Sequence, residues 1–428
     1  MRASVFLEAI SVVVGLASAD SILRSDNGTY GPEIEEFHYY FGQWPTGHAV
    51  SSTGRLFVCY TRGGGASPFT LGEAVNKTTE EAYPSADFSV PIADVNTTIN
   101  GMQFGSSNST GLISVQALYI TSETDDRPET LWVLDTGRPT VVGSNGRLTM
   151  VYGQPGGPKL VAISLTNDTI YASYTFPAGV VYPDSYLNDV RLDLRRSVVP
   201  GGKGVAYLVD SSGEGRPGFV MLDLGTGESW RRLDGDKHVM REDGDVASYN
   251  GQAFYQVPQG GGPFAHNKEG NNGVSLSPDL QTMYFTTLTG NTLFAVPTAN
   301  LLTRDDVPWA EQAAKNNVTS VGQKGGNSNG SEGDSNGLIY MIMPEHNAIY
   351  YYDPKDLKVH TFIRDPRMLW PDPLFIAEDG YMYINIVQSY WSPRWNGGKD
   401  LRQLPGAVLR VKLPNNGTKM RLDYAASV

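Results

Sequence analysis

The sequence predicts an all-β protein, a six-bladed β-propeller whose ring is closed by an N-terminal strand that completes the last blade. Its 428 residues include 48 Gly and 26 Pro, a composition that suits short strands joined by many turns. Helical periodicity is confined to roughly residues 299–315. A unit of two strands, the second with a polar end, followed by a hairpin recurs six times, and radial repetition of four-stranded units is typical of propellers.

The repeated units follow one another along the whole chain. The stretches by which the six units are recognised are residues 46–62, 113–139, 187–212, 271–285, 335–362 and 370–391. Turns such as LGTGE and TNDT supply the residues that adopt positive φ in hairpins. The sixth unit is one strand short. The stretch IEEFHYYF at 34–41 is predicted to supply that strand, so that the ring leaves no long exposed edge.

The first 19 residues are predicted to be a signal peptide. Arg2 precedes an apolar run from Val5 to Leu16, and a small-residue cleavage site ends at Ala19. Residues 20–428 are then expected to form a single six-bladed propeller domain. Because no later stretch reaches 18 apolar residues, no membrane span is expected.

Eight Asn-x-Ser/Thr sequons fit a secretory route and are predicted to carry glycans. They are Asn27, Asn76, Asn96, Asn108, Asn167, Asn317, Asn329 and Asn416. The protein is therefore expected to be secreted or to reside in the secretory-pathway lumen. Its single cysteine, Cys59, excludes an intrachain disulfide, and the apolar run RLFVCY predicts a buried structural thiol.

The charge distribution argues against nucleic acid as a partner. The formal net charge is −12, and no block of basic residues stands out. An acidic surface of this kind mainly keeps a protein soluble.

The openings of the six units are predicted to converge on one mouth of the central channel, because the innermost strand of every blade runs along that channel. They contribute His48, Gln116, Asn188, Asp189, Asn272, Asn336 and Asp372. For any one of them a simple turn is the alternative, since Asn and Asp favour turns and Asn-Gly is the usual turn signal. For the set, a binding site is the prediction.

The ends of the second strands add further polar and aromatic residues to the same mouth. They contribute Arg62, Asp135, Arg138, Asp210, Glu345, His346, Tyr390 and Trp391. Together with Trp395, the last two residues form an aromatic cluster that either packs the rim or walls a flat apolar ligand. His266 lies on the loop that leads into the fourth unit, where a solvated loop histidine is the alternative to a catalytic one.

Familiar catalytic and metal-binding motifs do not occur in the sequence. It contains no HExxH, no G-x-S-x-G and no P-loop, and its six histidines and one cysteine show no zinc spacing. Neither a metal nor another cofactor is therefore expected.

Several stretches, in order along most of the chain, resemble the major royal jelly/yellow family. They are LWVLDTG, LNDVRLD, AYLVDSSG, SWRRL, NGVSLSPD and LFAVPTANLL. This resemblance implies a secreted, glycosylated six-bladed propeller that binds small molecules at its channel mouth.

A more distant resemblance is to calcium-dependent gluconolactonase-like propellers, in which an Asn-Gly, an Asp-Gly and a first-blade Glu hold the metal. Asn272 matches the first position, Asn336 stands where the second has Asp, and Thr46 stands where the family has Glu. Because hard cations prefer carboxylate oxygens, these departures argue against a catalytic calcium.

The chain also resembles fungal propellers of natural-product pathways that act as hetero-Diels–Alderases. The single cysteine, the aromatic rim and the altered metal set carry this likeness. It implies meroterpenoid biosynthesis, in which a tropolone-derived, quinone methide-like diene reacts with a terpene alkene without a metal or other cofactor.

Such a cycloaddition requires orientation, which lowers barriers by about 7–11 kcal/mol in favourable cases, and a donor on the enone oxygen. A general acid helps to expel water and form the quinone methide, and His266 or His48 is the candidate for that role. Arg62 or one of the Asn residues at the channel mouth is the candidate hydrogen-bond donor. Tyr390 and Trp391 are the candidate walls of the pocket. The substrate-binding set comprises Asn188, Asp189, Asn272, Asn336, Glu345, Asp372, Tyr390 and Trp391.

Three other functions remain open on the sequence. The first is a non-enzymatic, yellow-type protein that stores or scavenges small aromatic molecules, and saturable binding without conversion would favour it. A lactonase-like hydrolase would require bound calcium. The third is a scaffold for protein interactions, although eight glycans would cover much of its outer surface.

Overall fold

A computed structural model of the protein describes residues 25–61, 68–90, 95–99, 102–105, 111–142, 148–153, 157–249, 251–257 and 259–424. The predicted signal peptide, Arg62 and the sequon at Asn108 lie outside the described residues, as does the side chain of Asn96.

Six antiparallel four-stranded sheets form the blades, which confirms the predicted six-bladed propeller. From inside to outside, blade 1 contains Gly47–Val50, Leu56–Cys59, Leu71–Asn76 and Thr79–Ala82. Blade 2 contains Val115–Thr121, Thr130–Asp135, Lys159–Ser164 and Thr169–Thr175. Blade 3 contains Leu187–Asp193, Val205–Asp210, Gly218–Asp223 and Ser229–Arg232.

The second half of the ring repeats this order. Blade 4 contains Asn271–Leu276, Thr282–Thr287, Thr292–Pro297 and Thr319–Gln323. Blade 5 contains Ser331–Gly333, Ile339–Met343, Ala348–Asp353 and Lys358–Arg364. Blade 6 contains Pro371–Ile376, Tyr381–Ile386, Gly406–Lys412 and, as its outermost strand, Glu35–Tyr40.

The N-terminal strand therefore closes the ring as the sequence predicts. Glu35–Tyr40 pairs antiparallel with Gly406–Lys412, with Tyr40 opposite Gly406. Its hydrogen bonds to the last sequential strand join the two ends of the chain. Without them, blade 6 would present an unpaired edge.

Smaller elements occupy the connections between strands. The two-stranded pairs are Val95–Ile99 with Met102–Gly105, Thr140–Val142 with Leu148–Met150, Ser248–Tyr249 with Gln252–Ala253, and Tyr255–Gln256 with Ala265–His266. The α-helices are Ala86–Ser89, Thr298–Leu302 and Ala310–Asn316, and the 3₁₀ helices are Pro344–His346, Ser389–Trp391 and Pro414–Asn416. Among the described residues, no helix has the length and apolar character needed to cross a bilayer.

The hydrophobic core lies between neighbouring blades rather than in one central mass. Phe219 of blade 3 meets Phe285 of blade 4 edge to face, with 5.3 Å between the ring centroids. Cys59 is fully buried in blade 1, and burial raises the pKa of its thiol far above the ordinary value. The prediction of a buried structural thiol is confirmed.

Two long connections extend over the same end of the propeller, which we call the mouth. Residues 236–249, 251–257 and 259–270 precede blade 4, and residues 387–405 lie within blade 6. They contact each other, because Arg394 pairs with Glu269 at 3.1 Å and the Gly397 N–H donates to the Val257 carbonyl at 3.2 Å. Together they bridge blades 4 and 6.

The C-terminal segment crosses the opposite end of the channel. The Ser335 N–H donates to the carbonyl of Thr418 at 2.9 Å, and the Leu194 N–H donates to the carbonyl of Leu422 at 2.6 Å. These contacts fasten the segment to blades 5 and 3.

Five of the predicted glycosylation sites are exposed. They are Asn27, Asn76, Asn167, Asn317 and Asn416. Asn329 differs, because it is only 5% exposed and lies beside the channel. Since a folded protein has no space for a glycan at that position, the structure argues against modification of Asn329.

Candidate functional site

A small cavity of about 30 Å³ lies on the propeller axis near the mouth. Its lining comes from blades 1 to 6 and comprises Thr46, His48, Gln116, Ala117, Leu118, Tyr119, Asn188, Asp189, Arg191, Asn272, Gly330, Ser331, Glu332, Asp372, Pro373, Leu374 and Phe375. Its size suits one water molecule or one polar group of a ligand. This volume is too small for a whole organic ligand.

The inner strands place six of the seven predicted ring residues around this cavity. They are His48, Gln116, Asn188, Asp189, Asn272 and Asp372. Each belongs to the first strand of its blade, so the radial repeat brings them together. Their role in binding stays a prediction.

Asn336 is the exception, and its predicted place at the mouth is wrong. It lies in the hairpin after the inner strand of blade 5, where the backbone N–H of Asn336 donates to the Asp334 carboxylate at 2.9 Å. The inner strand is Ser331–Gly333, one strand earlier than the sequence suggested. The Asn-Gly pair that opens blade 5 is therefore Asn329-Gly330.

Asn272 joins two blades at the cavity wall. Its side-chain oxygen accepts a hydrogen bond from the backbone N–H of Gly330 at 2.9 Å. A Cβ on the neighbouring Gly273 would lie 2.9 Å from the carbonyl carbon of Gly330, so only glycine permits this approach of blades 4 and 5. Asn272 is thus a residue of the strand interior rather than of a turn.

Neutral amides connect blades 2 and 3 on the other side of the cavity. The Gln116 amide donates to the side-chain oxygen of Asn188 at 2.8 Å, and the Tyr186 hydroxyl donates to Gln116 at 2.7 Å. These bonds fix the amide orientations, so that the remaining polar atoms have defined directions.

Arg191 carries the positive charge of the cavity wall, and the sequence reasoning missed it. It lies two residues after Asp189 on the same face of the strand, a spacing that could have indicated their contact. Its guanidinium pairs with Asp189 at 2.7 Å and with Glu332 at 3.3 Å. Burial raises the pKa of both carboxyls, while the guanidinium between them favours their charged forms.

Asp372 has the most altered acid–base behaviour of the carboxyls lining the cavity. It is half-buried and lines the small cavity. Burial raises the pKa of Asp372 to about 8, with smaller contributions from the negative charges of Asp189 and Glu269. A hydrogen bond from Asn329 opposes the shift. At neutral pH the carboxyl therefore keeps its proton and can donate it.

His48 lines the same cavity, but burial shifts its pKa in the opposite direction. Burial lowers the pKa of His48 to about 4, so the ring is neutral at physiological pH. Its nitrogens make no hydrogen bond of normal geometry with the described residues, although the nearby Tyr383 backbone slightly favours the protonated form. A neutral ring offers one N–H donor but no imidazolium acid.

His266 and Glu345, two other predicted site residues, lie away from the cavity. His266 is half-buried in the short strand Ala265–His266, and its Nε2 accepts a hydrogen bond from a guanidinium nitrogen of Arg241 at 2.7 Å. The Glu345 carboxylate accepts the backbone N–H of Ser248 at 2.6 Å and that of Asn327 at 2.7 Å. These two hydrogen bonds hold the loop at Ser248 and the segment at Asn327 beside the end of the second strand of blade 5.

The predicted aromatic cluster is present at the mouth and is largely packed. Trp395 stacks on Phe254 with 4.0 Å between the centroids, and Tyr390 lies 4.9 Å from Phe254. Tyr390 and Trp391 are half-buried and lie outside the cavity lining. The packing interpretation therefore accounts for Trp395, while Tyr390 and Trp391 keep exposed surface.

The residues of the gluconolactonase-like pattern do not come together. Asn272 and Thr46 line the cavity, whereas Asn336 lies at the far end of blade 5. Within the described part of the chain, no group of three or more His, Cys, Asp or Glu side chains is arranged to hold a metal ion.

A family model described as major royal jelly protein matches residues 113–392. No curated protein matches the chain. Among solved structures, a luciferin-regenerating enzyme aligns at 10% identity and TM-score 0.47 over 92% of this chain and 100% of the other.

Two further solved structures have the same distant similarity. The calcium-binding protein regucalcin from Agrobacterium tumefaciens aligns at 11% identity and TM-score 0.43, over 94% of this chain and 97% of its own. A gluconolactonase from Xanthomonas campestris aligns at 11% identity and TM-score 0.39, over 92% and 99%.

Proposed function

The chain belongs to the major royal jelly protein family, and from that premise we propose that it is an enzyme promoting an intermolecular hetero-Diels–Alder cyclisation of natural-product intermediates. The observation that carries the proposal is the place of Asp372, a half-buried carboxyl on the wall of the axial cavity whose pKa burial raises to about 8. Such an acid supplies both a proton and a hydrogen bond where a substrate oxygen would enter.

The mouth loops supply the apolar surface that two hydrophobic substrates need. The loops before blade 4 and within blade 6 carry exposed apolar side chains, namely Val246, Tyr255, Phe264, Leu401 and Leu404. Tyr390 and Trp391 add partly exposed rings between them. Face-to-face placement of the substrates on this surface would supply the orientation that a cycloaddition requires.

Asp372 would act in two steps. A hydroxymethyl precursor first loses water, because the Asp372 proton transfers to the departing hydroxyl and a ring hydroxyl proton returns to the carboxylate. The ortho-quinone methide then reacts with the alkene, so that one C–C and one C–O bond form while two π bonds are consumed. A hydrogen bond from Asp372 to the quinone oxygen stabilises the charge that develops there.

His48 would have a supporting role in this scheme. As a neutral ring it can donate one hydrogen bond to the same oxygen, but it cannot supply an imidazolium proton at neutral pH. The acid role that the sequence suggested for His48 or His266 therefore passes to Asp372. Arg62, the other candidate donor, lies outside the described residues.

A non-enzymatic, small-molecule-binding protein of the yellow type is the second candidate. The observation that favours it is the axial cavity, whose volume of about 30 Å³ admits a single polar group of a ligand. For either function we propose a secretory-pathway location, as the N-terminal sequence and the exposed sequons suggest.

The test is turnover by the purified glycoprotein of a quinone methide precursor together with a macrocyclic terpene alkene. Mass spectrometry and chiral chromatography measure the cycloadduct. We expect stereoselective product from the natural protein and a loss of about 10²-fold or more in rate for Asp372→Asn, which cannot donate the proton. Asp356→Asn, an exposed carboxyl on blade 5, is the matched control and should keep full activity.

Two results would count against this function. A cycloadduct formed no faster than without protein would end the enzyme proposal, and saturable binding of either substrate would then favour the binding protein. An Asp372→Asn variant with unchanged rate and stereochemistry would remove Asp372 from the mechanism.

A further inference from the structure

A second and larger cavity lies against the two outer strands of blade 5, away from the channel axis. It is an open groove of about 920 Å³ between the N-terminal segment, the two outer strands of blade 5 and the loop at residue 248. Its lining comprises Asp26, Thr29, Tyr30, Ser248, Gly251, Glu345, His346, Asn347, Tyr350, Tyr351, His360, Thr361 and Arg364. We call it the blade 5 groove.

The N-terminal segment is fixed along the edge of the groove. Tyr30 and Arg364 exchange two backbone hydrogen bonds, each of 2.9 Å, and the Arg364 guanidinium pairs with Asp26. Gly28 has φ +80°, and a Cβ there would lie 2.9 Å from the Pro366 ring. This close packing gives residues 26–30 a defined course beside blade 5.

Aromatic rings form much of the groove wall. His346 stacks on Tyr350 with an interplanar angle of 10°, and Tyr351 stacks on His360 with 5.1 Å between centroids. Tyr30, at the rim, is 61% exposed. The faces of such rings carry negative potential, which attracts the positively polarised C–H groups of a sugar ring.

The charged groups of the groove already have partners. Asp26 pairs with Arg364, and Asp356 pairs with His360 at 2.9 Å. Glu345 accepts backbone N–H groups of the neighbouring loops. A lining of stacked rings, hydroxyls and compensated charges suits a neutral, polyhydroxylated ligand better than an ion.

Asn27 stands at the rim of this groove within the sequon Asn27-Gly28-Thr29. Its side-chain oxygen accepts hydrogen bonds from the Thr29 backbone N–H at 3.1 Å and the Thr29 hydroxyl at 3.0 Å. Because Thr29 and Tyr30 line the groove, a sugar on Asn27 begins beside the aromatic wall.

We propose that the blade 5 groove is a saccharide-binding site and that its occupant is the N-linked glycan of Asn27. The innermost sugars lie against Tyr30 and the His346–Tyr350 stack, and their hydroxyls bond to the polar lining. The glycan thereby covers the junction between the N-terminal segment and blade 5. This inference is independent of the reaction at the mouth.

The test compares two glycans of one native protein produced in a eukaryotic secretory host. Asn167 is the internal control, because it is exposed at a hairpin of blade 2 and makes the same Thr-to-Asn bond, at 2.7 Å. Native protein is digested with an endoglycosidase, and site-specific release is followed by glycopeptide mass spectrometry. Docking worth about 1.4 kcal/mol would slow release at Asn27 about tenfold relative to Asn167.

Variants separate docking from mere crowding. Tyr30→Ala, which removes an exposed ring, should bring release at Asn27 close to the Asn167 rate. Tyr171→Ala, an exposed tyrosine on the outer strand of blade 2, should leave release at Asn27 slow. An unmodified Asn27, equal release at both sites, or slow release that persists in Tyr30→Ala and in the His346→Ala variant would overturn the proposal.

Discussion

The pKa of Asp372 depends on burial and on residues from three other parts of the ring. Asp189 of blade 3 and Glu269 of the mouth loop raise its pKa in addition to burial, while Asn329 at the start of blade 5 opposes them. In the unfolded chain these groups are far apart, so the carboxyl has its ordinary pKa. The folded state holds the proton to higher pH, so this contribution to stability is fully present below the ordinary aspartate pKa of 3.8 and is lost progressively as the pH rises from there to about 8.

Asn272 and Asn336 allow a direct comparison of two asparagines in identical Asn-Gly pairs. Asn272→Ala leaves the buried N–H of Gly330 without its acceptor, and we expect a loss of about 1–3 kcal/mol in the free energy of unfolding. The side-chain amide of Asn336 makes only two long contacts of 3.4 Å, so Asn336→Ala should cost less than about 1 kcal/mol. Urea denaturation measures both, and equal losses would contradict the cross-blade role of Asn272.

The Asn-Gly pairs at 329–330 and 336–337 show why the sequence alone could not locate the start of blade 5. Gly330 and Gly337 both have positive φ, +87° and +85°, so the backbone conformation favours glycine at both positions. One pair opens the inner strand of blade 5 and the other turns its hairpin. Because the local requirement is the same, the sequence could not decide which pair faces the channel. The sequence therefore predicts only a sequon at Asn329.

At the scale of elements, ring closure depends on the strand Glu35–Tyr40. It covers the edge of Gly406–Lys412, and Glu35 pairs with Arg410 at 2.6 Å. We expect a chain lacking residues 25–41 to fail to accumulate as a soluble monomer, because an exposed strand edge promotes association. Size-exclusion chromatography and circular dichroism check this.

A matched variant separates the strand from its ion pair. Glu35→Ala keeps the backbone ladder and loses only a partly exposed ion pair, so it should change stability by less than about 1 kcal/mol. A shortened chain as stable and monomeric as Glu35→Ala would show that closure by this strand is dispensable.

The elements were predictable because strand alternation and turn chemistry repeat six times, and each copy supports the interpretation of the others. The short inner strand Ser331–Gly333 was not, since three residues carry too little alternation to be recognised. The positions of His266 and Glu345 were also beyond sequence reasoning. Both depend on how the loops fold back over neighbouring blades, as the contacts with Arg241, Ser248 and Asn327 show.

At the scale of the whole molecule, the ring gathers polar side chains from all six blades around one narrow axis. The C-terminal segment covers one end, and long loops with exposed apolar side chains surround the other. Lys419 of that segment lies 4.1 Å from the ring centroids of Tyr119 and Phe375, which line the cavity. The architecture thus combines a polar centre with an apolar entrance, as the proposed reaction of two hydrophobic molecules requires.

The protonation state of Asp372 decides whether this carboxyl can serve as the proposed acid, and infrared spectroscopy measures it. An infrared difference spectrum between the natural protein and Asp372→Asn, recorded across pH of about 5 to 10, isolates that single carboxyl. We expect a protonated carboxylic acid band at neutral pH that disappears as the pH rises through about 8. A carboxylate band that persists down to acidic pH, with an ordinary aspartate titration, would contradict the proposed acid at the centre of the channel.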